Sequence, residues 1–468
     1  MEQLKPKVGT RSAIFLVVSV IIGSGVFKKI APMSAELGSP GLILLCWIVA
    51  GLISLAGALS TAEMVSLFPN SGGEYFYFQK IYGRFFSFLC GWSSFTVSKT
   101  AAISALAYIF AQSINSIFPL PQLIDEKTAS ASFLLDNLSI KVLASLMIAA
   151  LTYLNYRGVH VAEKISRVLT YLMLFAIAAF IITGLTSGLG SLEHFNTPAS
   201  ADHFKGSLDG WALVKAMFVA SLGAFWGYEG WNNIAYIGEE IREPRKNLPI
   251  ALFSGTLIVI SAYVLLNAIY LYVLPVDRFI EMNAQPNTIA AVEVSKAITG
   301  SLGGILVASL IVVTTFNATN SSILMSARII YAMARDRLFF SSAASVHSTY
   351  NTPDVALLVQ GIWAILLVFS GTFDQLTDML VFASFIFYGA SAGSVILMRL
   401  RHPEMERTYK VFGYPYVPAL FCLFSAGLFI MTLINQPREA FWGLVLIGSG
   451  IPFYIWFNRK NKLTTSSL

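Results

Sequence analysis

The stretch "VSVIIGSGVFKKI", residues 18–30, places Gly23, Ser24 and Gly25 in the middle of a long apolar segment. Glycine weakens the interior of a helix by about 1 kcal/mol relative to alanine, and this run concentrates that weakness at one point. A helix that crosses lipid tolerates a break only where the break is buried in protein or lines a cavity. The stretch therefore predicts a membrane helix that is interrupted near its middle.

A second stretch of the same kind, "GAFWGYEGWNN" (residues 223–233), interrupts a later apolar segment with Gly223, Gly227 and Gly230. It also carries a carboxylate, Glu229. A charge in the middle of a membrane costs about 3 kcal/mol or more unless it is solvated or paired. We therefore expect Glu229 to have either a partner or a function.

The composition of the whole chain agrees with a membrane location. Of 468 residues, 56% are hydrophobic and 12% are charged, and the mean hydropathy is +0.69. This leaves too little polar surface for an ordinary soluble domain. The net charge of +6 has a membrane explanation, since cytoplasmic loops collect Lys and Arg, so we expect no nucleic-acid partner.

Twelve segments are apolar and long enough to cross the hydrocarbon core. An even number puts both termini on one side, and most of the 31 Lys and Arg residues fall in the loops on that side. The positive-inside rule makes that side the cytoplasm and predicts a multi-pass protein of the cell membrane. The predicted segments are 11–34, 40–67, 84–113, 139–157, 161–186, 211–240, 248–274, 301–333, 354–370, 373–399, 416–434 and 440–457.

The order of the segments suggests an internal repeat. The two interrupted segments hold corresponding places if residues 11–186 and 211–399 are two five-helix repeats, with two more helices at 416–457 and cytoplasmic ends at 1–10 and 458–468. Paired interruptions of this kind indicate a transporter binding site near the membrane midplane. Freed N–H groups suit an anion and freed carbonyls suit a cation, so a zwitterionic amino acid fits both. The alternative is that the glycines only let helices pack closely.

Longer stretches resemble one family of transporters. "IIGSGVF" (21–27), "FPNSGGEYFYFQKIYG" (68–83), "GWNNIAYIGEEIREPRKNLPIAL" (230–252), "SARIIYAMARDRLF" (326–339) and "YKVFGYPYVPALF" (409–421) are similar, in this order, to the amino acid–polyamine–organocation permeases, and most closely to their L-type amino-acid transporter branch. The resemblance implies an all-α fold of twelve transmembrane helices with the LeuT-type inverted repeat, in which helices 1 and 6 are interrupted. It also implies alternating-access transport of L-amino acids, in many members as exchange, with neutral and in some members cationic substrates.

The resemblance also assigns roles to residues. The substrate carboxylate would sit on Ser24 and the amide of Gly25, and the α-ammonium on carbonyls of Ile21, Trp226 and Glu229. Trp226 matches an aromatic residue that covers the substrate, although an aromatic that merely packs or lies at the interface is the alternative. The residues implied at the site are Ile21, Gly23, Ser24, Gly25, Trp226, Gly227, Tyr228, Glu229 and Gly230.

Three residues bear on selectivity or ion coupling. Glu229 matches an acid implicated in cationic substrates in some relatives, but similar acids occur in relatives that carry small neutral amino acids. Lys99 lies about 15 residues after Arg84, which places it near the core of the membrane, where it can face the bundle or reach toward the cytoplasm. Met173 occupies the position of a lysine that substitutes for sodium in relatives, so the ion coupling is open.

Other classes of function find less support. The chain has no H-E-x-x-H or C-x-x-C pattern and no Walker motif, so we expect neither an enzyme nor an ATP-driven pump, and neither cofactor nor metal. A sensor with a permease fold is the alternative, disfavoured because only about ten residues precede the first segment and about eleven follow the last. Residues 114–138 lack the cysteine that joins relatives to a glycoprotein, so we expect no disulfide-linked heavy chain and three free thiols at Cys46, Cys90 and Cys422.

Overall fold

A computed structural model of the protein describes residues 8–69, 72–124, 134–158, 162–204, 208–285 and 287–465. Of the predicted terminal segments, residues 1–7 and 466–468 lie outside the described residues. The described residues are helical, with one isolated backbone bridge between Val8 and Ile241.

The α-helices are numbered here in chain order. They are α1 (Thr10–Ile21), α2 (Gly25–Lys28), α3 (Ile30–Leu37), α4 (Pro40–Leu67), α5 (Glu74–Ile81), α6 (Arg84–Ser93), α7 (Lys99–Ile117), α8 (Leu138–Tyr156), α9 (Ala162–Thr186), α10 (Gly210–Gly227), α11 (Pro244–Val273), α12 (Val276–Asn283), α13 (Ala290–Arg335), α14 (Asp354–Ser370), α15 (Phe373–Arg401), α16 (Tyr416–Asn435), α17 (Pro437–Gly448) and α18 (Gly450–Thr465). A π-helical turn, Ser94–Ser98, joins α6 to α7, and the 3-10 helices are Leu192–Phe195, Trp231–Glu240 and Ser341–Ala344.

The described helices confirm a multi-pass membrane protein. Ten helical stretches within these ranges are long and apolar enough to cross a membrane, and each falls on a segment predicted from the sequence. The two remaining predicted segments, 161–186 and 354–370, contain shorter apolar helices, Thr170–Thr186 and Asp354–Ser370. Large apolar side chains are exposed on the outer faces, including Phe175 at 72% and Leu423 at 72%. Such a surface is suited to contact with lipid.

One helix differs from its predicted extent. Residues 301–333 are predicted as a span, but α13 begins at Ala290. The first part of α13 joins the rest at Thr299 and Gly300, where Gly300 has a φ of 70°. A glycine adopts this left-handed conformation without steric cost, so it changes the direction of the chain between two helical pieces.

Both interruptions are present. The first falls between Ile21, the last residue of α1, and Gly25, the first residue of α2. The second follows α10, which ends at Gly227, and the chain resumes as the 3-10 helix Trp231–Glu240. Gly230 has a φ of 110° there, which an L side chain rarely adopts.

The two interruptions touch each other. A Cβ atom on Gly25 would overlap the Cα of Gly227 and lie 2.8 Å from its backbone nitrogen. The glycines therefore do serve close packing, which was the alternative to a binding site. Because the helices that meet here are the interrupted ones, this packing also brings their free backbone groups together.

Candidate substrate site at the two helix breaks

The first break, residues 22–24, has buried backbone and side-chain groups. Ser24 is 1% exposed and directly precedes α2. The carbonyl of Ile21 accepts hydrogen bonds from the amide of Gly23 at 2.7 Å and from the hydroxyl of Tyr263 at 3.0 Å. The break is therefore held by α11, which carries Tyr263, as well as by its own backbone.

The second break is tied to the first through Trp226. The indole nitrogen of Trp226 donates to the hydroxyl oxygen of Ser24 at 3.3 Å, and the amide of Glu229 donates to the carbonyl of Trp226 at 3.2 Å. The Trp226 ring lies edge-on to Phe373, with 6.0 Å between centroids. The structure thus brings Ser24, Gly25, Trp226 and Gly227 into one buried contact.

Tyr228 and Gly23 face other neighbours. The hydroxyl of Tyr228 donates to the carbonyl of Trp47 at 3.1 Å, and its ring contacts those of Trp47 and Tyr263. A Cβ on Gly23 would meet Leu106 at 3.2 Å. The side chain of Tyr228 therefore packs against α4 and α11 and is directed away from Ser24.

Glu229 has the partner that its burial requires. Lys99 Nζ lies 3.3 Å from Glu229 Oε1 and donates to Asn233 Oδ1 at 2.8 Å and to Asn232 Oδ1 at 3.4 Å. The hydroxyl of Tyr388 donates to the same Glu229 Oε1 at 2.6 Å. The side chains of Lys99 and Glu229 are only 7% and 10% exposed. We call these five residues the Glu229 network.

The local fold around Lys99 explains how its ammonium reaches the second break. Lys99 is the first residue of α7, directly after the π-helical turn Ser94–Ser98. A π-helical turn inserts a residue into the helical register and is frequent at functional sites. Lys99 therefore faces the interior of the bundle, and the alternative in which it reaches toward the membrane surface is wrong. Met173 is an uncharged, buried residue of α9.

A second ion-pair network, around the buried Lys29, lies beyond the first break along the chain. Lys29 Nζ is 2.6 Å from Asp374 Oδ1 and 3.5 Å from Asp378 Oδ1, and it donates to the hydroxyl of Thr377 at 2.8 Å. Lys28 donates to Gln112 Oε1 at 2.9 Å and lies over the ring of Phe373 at 4.7 Å from its centroid. We call Lys28, Lys29, Asp374, Thr377 and Asp378 the Asp374 network.

The Asp374 network borders a cavity of about 220 Å³. Its wall includes groups of both charge signs together with amides. A space of this kind can admit a small polar molecule. It lies near Trp226, because Phe373 belongs to the cavity wall and also contacts the Trp226 ring. Residues of the wall include Lys28, Tyr108, Gln112, Asn137, Phe373 and Asp374.

Sequence reasoning missed Tyr388, Asn232 and Asn233 as partners of Lys99, and it missed the Asp374 network. Tyr388 is one of 19 tyrosines, and no local pattern distinguishes it. The Asp374 network had a usable signal, since Lys28 and Lys29 directly follow the first break and two aspartates lie four residues apart at the start of α15. Residues four apart lie on one helix face, so both aspartates can reach one lysine.

One pattern found in hydrolases occurs in the chain but does not form a catalytic site. Residues 389–393 read "GASAG", a match to G-x-S-x-G, and lie inside the continuous helix α15. The hydroxyl of Ser391 lies 3.1 Å from that of Thr61 and 2.7 Å from that of Tyr77. The nucleophile of such enzymes sits on a sharp turn between a strand and a helix. Among the described residues, no group of three or more His, Cys, Asp or Glu could hold a metal ion.

Comparison with known proteins gives the same picture over nearly the whole chain. The sequence model described as amino acid permease matches residues 8–455. The chain is 29% identical to the serine/threonine exchanger SteT of Bacillus subtilis over 98% of both sequences. It is 28% identical to the human b(0,+)-type amino acid transporter 1, covering 97% of this chain and 88% of that protein.

A third relative is the rabbit large neutral amino acids transporter small subunit 2, which is 30% identical over 98% of this chain and 82% of its own length. These relatives are transporters or exchangers by name, and none is named as an enzyme. Together with the match over residues 8–455 and the membrane helices, they show that the chain belongs to the amino acid permease family and is a transporter of amino acids rather than an enzyme.

Proposed function

We propose that the protein exchanges neutral L-amino acids across the cell membrane by alternating access, at a site between the two helix breaks. The observation that carries the proposal is the contact of the two breaks, with Gly25 against Gly227 and Trp226 bonded to Ser24. Exchange is favoured by the likeness to a serine/threonine exchanger along the full length of both chains. A neutral substrate agrees with that name and with the large neutral amino acids transporter.

The proposed architecture is twelve transmembrane helices with the LeuT-type inverted repeat. The repeats are residues 11–186 and 211–399, two helices follow at 416–457, and both termini are cytoplasmic. The support is that the ten long apolar helices and the two shorter ones fall on the twelve predicted segments. The interrupted helices α1–α2 and α10 are the first helices of the two proposed repeats.

In the proposed complex, the substrate carboxylate binds the hydroxyl of Ser24 and the amide of Gly25. The ammonium binds carbonyls of Ile21, Trp226 and Glu229. Ser24 already accepts the Trp226 indole at 3.3 Å. The Ser24 hydroxyl can donate to the substrate carboxylate while its oxygen still accepts from the indole, so Trp226 would lie over the bound substrate as a cover.

The Glu229 network favours neutral substrates over cationic ones. Glu229 Oε1 already accepts from Lys99 and Tyr388. A cationic side chain would have to compete with an ammonium that is tethered to α7 and bonded to two asparagines. We therefore propose that Glu229 acts as a structural or coupling acid and does not recognise the substrate side chain.

We also propose that the protein functions without a disulfide-linked heavy chain. Cys46, Cys90 and Cys422 lie in α4, α6 and α16, and all three are free thiols. Residues 114–138 contain no cysteine. These positions give no exposed loop thiol for a disulfide to a heavy chain, and crosslinking of the protein in its native membrane tests this.

The main test uses purified protein in liposomes that are either empty or preloaded with an unlabelled amino acid. Labelled L-serine, L-threonine, L-leucine and L-lysine are offered with and without sodium and pH gradients. We expect uptake of the neutral amino acids that depends strongly on preloading. Equal uptake into empty liposomes would contradict exchange, and binding without any flux would support an amino-acid sensor.

The role of Glu229 is tested by Glu229→Gln. We expect uptake of all accepted substrates to fall by a similar factor, because the substitution removes the charge that Lys99 faces. A selective loss of lysine and arginine transport, with serine and leucine preserved, would instead make Glu229 the residue that recognises cationic side chains.

The contact of the two breaks is tested by Gly25→Ala. The added methyl group would overlap Gly227 and force the helices apart, at a cost of about 1–3 kcal/mol. We expect exchange to fall by about 10-fold or more, since about 1.4 kcal/mol already corresponds to a factor of ten. Gly41→Ala is the matched control, because a Cβ at Gly41 has no atom within 4 Å among the described residues. Equal exchange by Gly25→Ala and Gly41→Ala would exclude a site that needs this contact.

A further inference from the structure

Glu74 is a buried carboxylate that the proposed substrate site does not use. It is the first residue of α5, which connects the long helix α4 to α6, and it is 4% exposed. The preceding residue, Gly73, has a φ of 53°, and a Cβ there would lie 2.7 Å from the ring of Tyr236. The start of α5 is therefore seated directly on the 3-10 helix Trp231–Glu240 that follows the second break.

The Glu74 carboxyl adjoins the Glu229 network but is not bonded by its lysine. The three donor contacts of Lys99 go to Glu229, Asn232 and Asn233. Glu74 Oε1 is fully buried and has no hydrogen-bond partner within the described part of the chain. A buried polar atom without a partner is costly and calls for an explanation. Ionisable groups that face Glu74 are Lys99, Glu229, Tyr77, Cys90, Tyr236 and Tyr388.

The charges around Glu74 do not balance if every acid is ionised. One ammonium, Lys99, faces two carboxyl groups, Glu229 and Glu74. Glu229 Oε1 accepts hydrogen bonds from both Lys99 and Tyr388, whereas Glu74 Oε1 accepts none within the described part of the chain. Burial raises the pKa of Glu74 to about 7, with Lys99 and Asn232 acting against this rise and Glu229 adding to it. Near neutral pH Glu74 is therefore about half protonated, so the opening or closing of its surroundings can change its charge.

We propose that Glu74 is a proton-binding site of the transport cycle, protonated while α5 is sealed against residues 231–240 and ionised when the two separate. The O–H bond of the Glu74 carboxyl breaks on separation, and the proton passes to water on the side to which the cluster opens. An ionised, unpaired carboxylate in the sealed contact would be strongly unfavourable. Loss of the proton thus favours the open arrangement, and its return favours the sealed one.

This inference rests on the proposed function, because it needs a transport cycle in which the contact opens and closes. It gives the chain a place to bind a coupling proton that does not involve the position of Met173. The proton is held by a loop helix outside the long apolar spans, close to residues that follow the second break. Opening of that contact is therefore expected to respond to pH.

The test compares homoexchange in liposomes with the same pH on both sides, for wild type, Glu74→Gln and Glu404→Gln. For a group with a pKa of about 7, the protonated fraction falls about tenfold between about pH 6 and about pH 8. We expect wild-type exchange to fall several-fold over this interval, because the ionised acid delays resealing. Glutamine has the shape of the neutral acid and cannot ionise, so exchange by Glu74→Gln should change by less than about twofold.

Glu404→Gln is the matched control, since Glu404 is exposed and the same chemical change there should keep the wild-type profile. A several-fold fall that persists in Glu74→Gln would overturn the inference, and so would a wild-type rate that does not depend on pH. In both cases exchange itself would stand. Absence of exchange by the wild type at every pH would instead reject the proposed function.

Two further measurements extend the test, and the first of them does not depend on the folding of Glu74→Gln. Glu74→Asp keeps a carboxyl but withdraws it by one methylene, so the pH midpoint of exchange should shift, and an unmoved midpoint would overturn the inference.

If Glu74→Gln does fold, its melting temperature is compared with that of wild type across pH. Because the folded-state pKa of Glu74 is raised, its contribution to stability is full below about 4.5 and is lost as the pH rises through about 7. Wild type should therefore lose stability relative to Glu74→Gln as the pH rises from about 4.5 to about 7, and a constant difference would contradict this.

Discussion

Lys99 and Lys29 are both buried lysines next to a helix break, yet their surroundings differ. In the Asp374 network, Lys29 faces two aspartates and a threonine hydroxyl, and Asp374 is 43% exposed. In the Glu229 network, Lys99 contacts one carboxylate and two amide oxygens, and both partners of the ion pair are at most 10% exposed. One network reaches solvent and the other is enclosed.

The comparison shows how the same kind of pair serves different purposes. Lys29 and Lys28 balance Asp374 and Asp378, so the Asp374 network is neutral in its fully ionised form. It joins the junction of α2 and α3 to α15 through a contact that water can reach. The Glu229 network, taken with Glu74, has one carboxyl more than its single lysine can neutralise. It is therefore the region where a proton, or the movement of a charge, changes the energy most.

The largest effect is expected from breaking the enclosed pair with Lys99→Met. Glu229 would remain buried without its cation, which costs about 3–5 kcal/mol of stability. Melting of the protein in detergent and exchange in liposomes should both be strongly impaired. The double variant Lys99→Met with Glu229→Gln should be more stable than Lys99→Met alone, because it removes both charges. A double variant as unstable as the single one would mean that the pair is not what stabilises this region.

A smaller effect is expected from Tyr388→Phe, which removes one of the two hydrogen bonds to Glu229 Oε1 while Lys99 remains. A hydrogen bond to a charged group contributes about 1.5–3 kcal/mol, and the melting temperature should fall accordingly. Tyr82→Phe is the control. The hydroxyl of Tyr82 donates to the carbonyl of Ala390, which lies on α15 as Tyr388 does, but this bond is outside the Glu229 network. An equal fall of the melting temperature in both variants would show that the Tyr388 hydroxyl contributes no more than an ordinary hydrogen bond outside the network.

The smallest effect is expected at the exposed end of the Asp374 network. In Asp374→Asn, Lys29 keeps Asp378 at 3.5 Å and Thr377 at 2.8 Å, and Asp374 is already partly solvated. We expect a loss of about 1 kcal/mol or less and a change of a few-fold in exchange. The effect should shrink at high salt, whereas that of Lys99→Met should not. A salt-insensitive loss as large as that of Lys99→Met would remove the difference between the two networks.

Several features of the fold followed from local sequence. The apolar segments located all ten long membrane helices, because every span must cover the hydrocarbon thickness and this shows in composition alone. The glycines at 23, 25, 227 and 230 located both breaks, since a missing Cβ is a local property of the residue. The burial of Glu229 predicted a partner for the same local reason, the cost of an unpaired charge.

The identity of each partner was decided by tertiary structure. Lys99 meets Glu229 across 130 positions of the chain, and Lys29 meets Asp374 across 345, so the pairing depends on how the helices pack. Tyr228 belongs to the glycine-rich stretch but turns toward Trp47, because α4 lies on that side. Glu74 stands outside the predicted apolar segments, and only the seating of α5 on residues 231–240 buries it. Sequence thus determined where the apolar segments lie, where the helices break and which charges need a partner. Packing decided which groups meet, because contact between distant segments depends on the whole arrangement of helices and not on any single one of them.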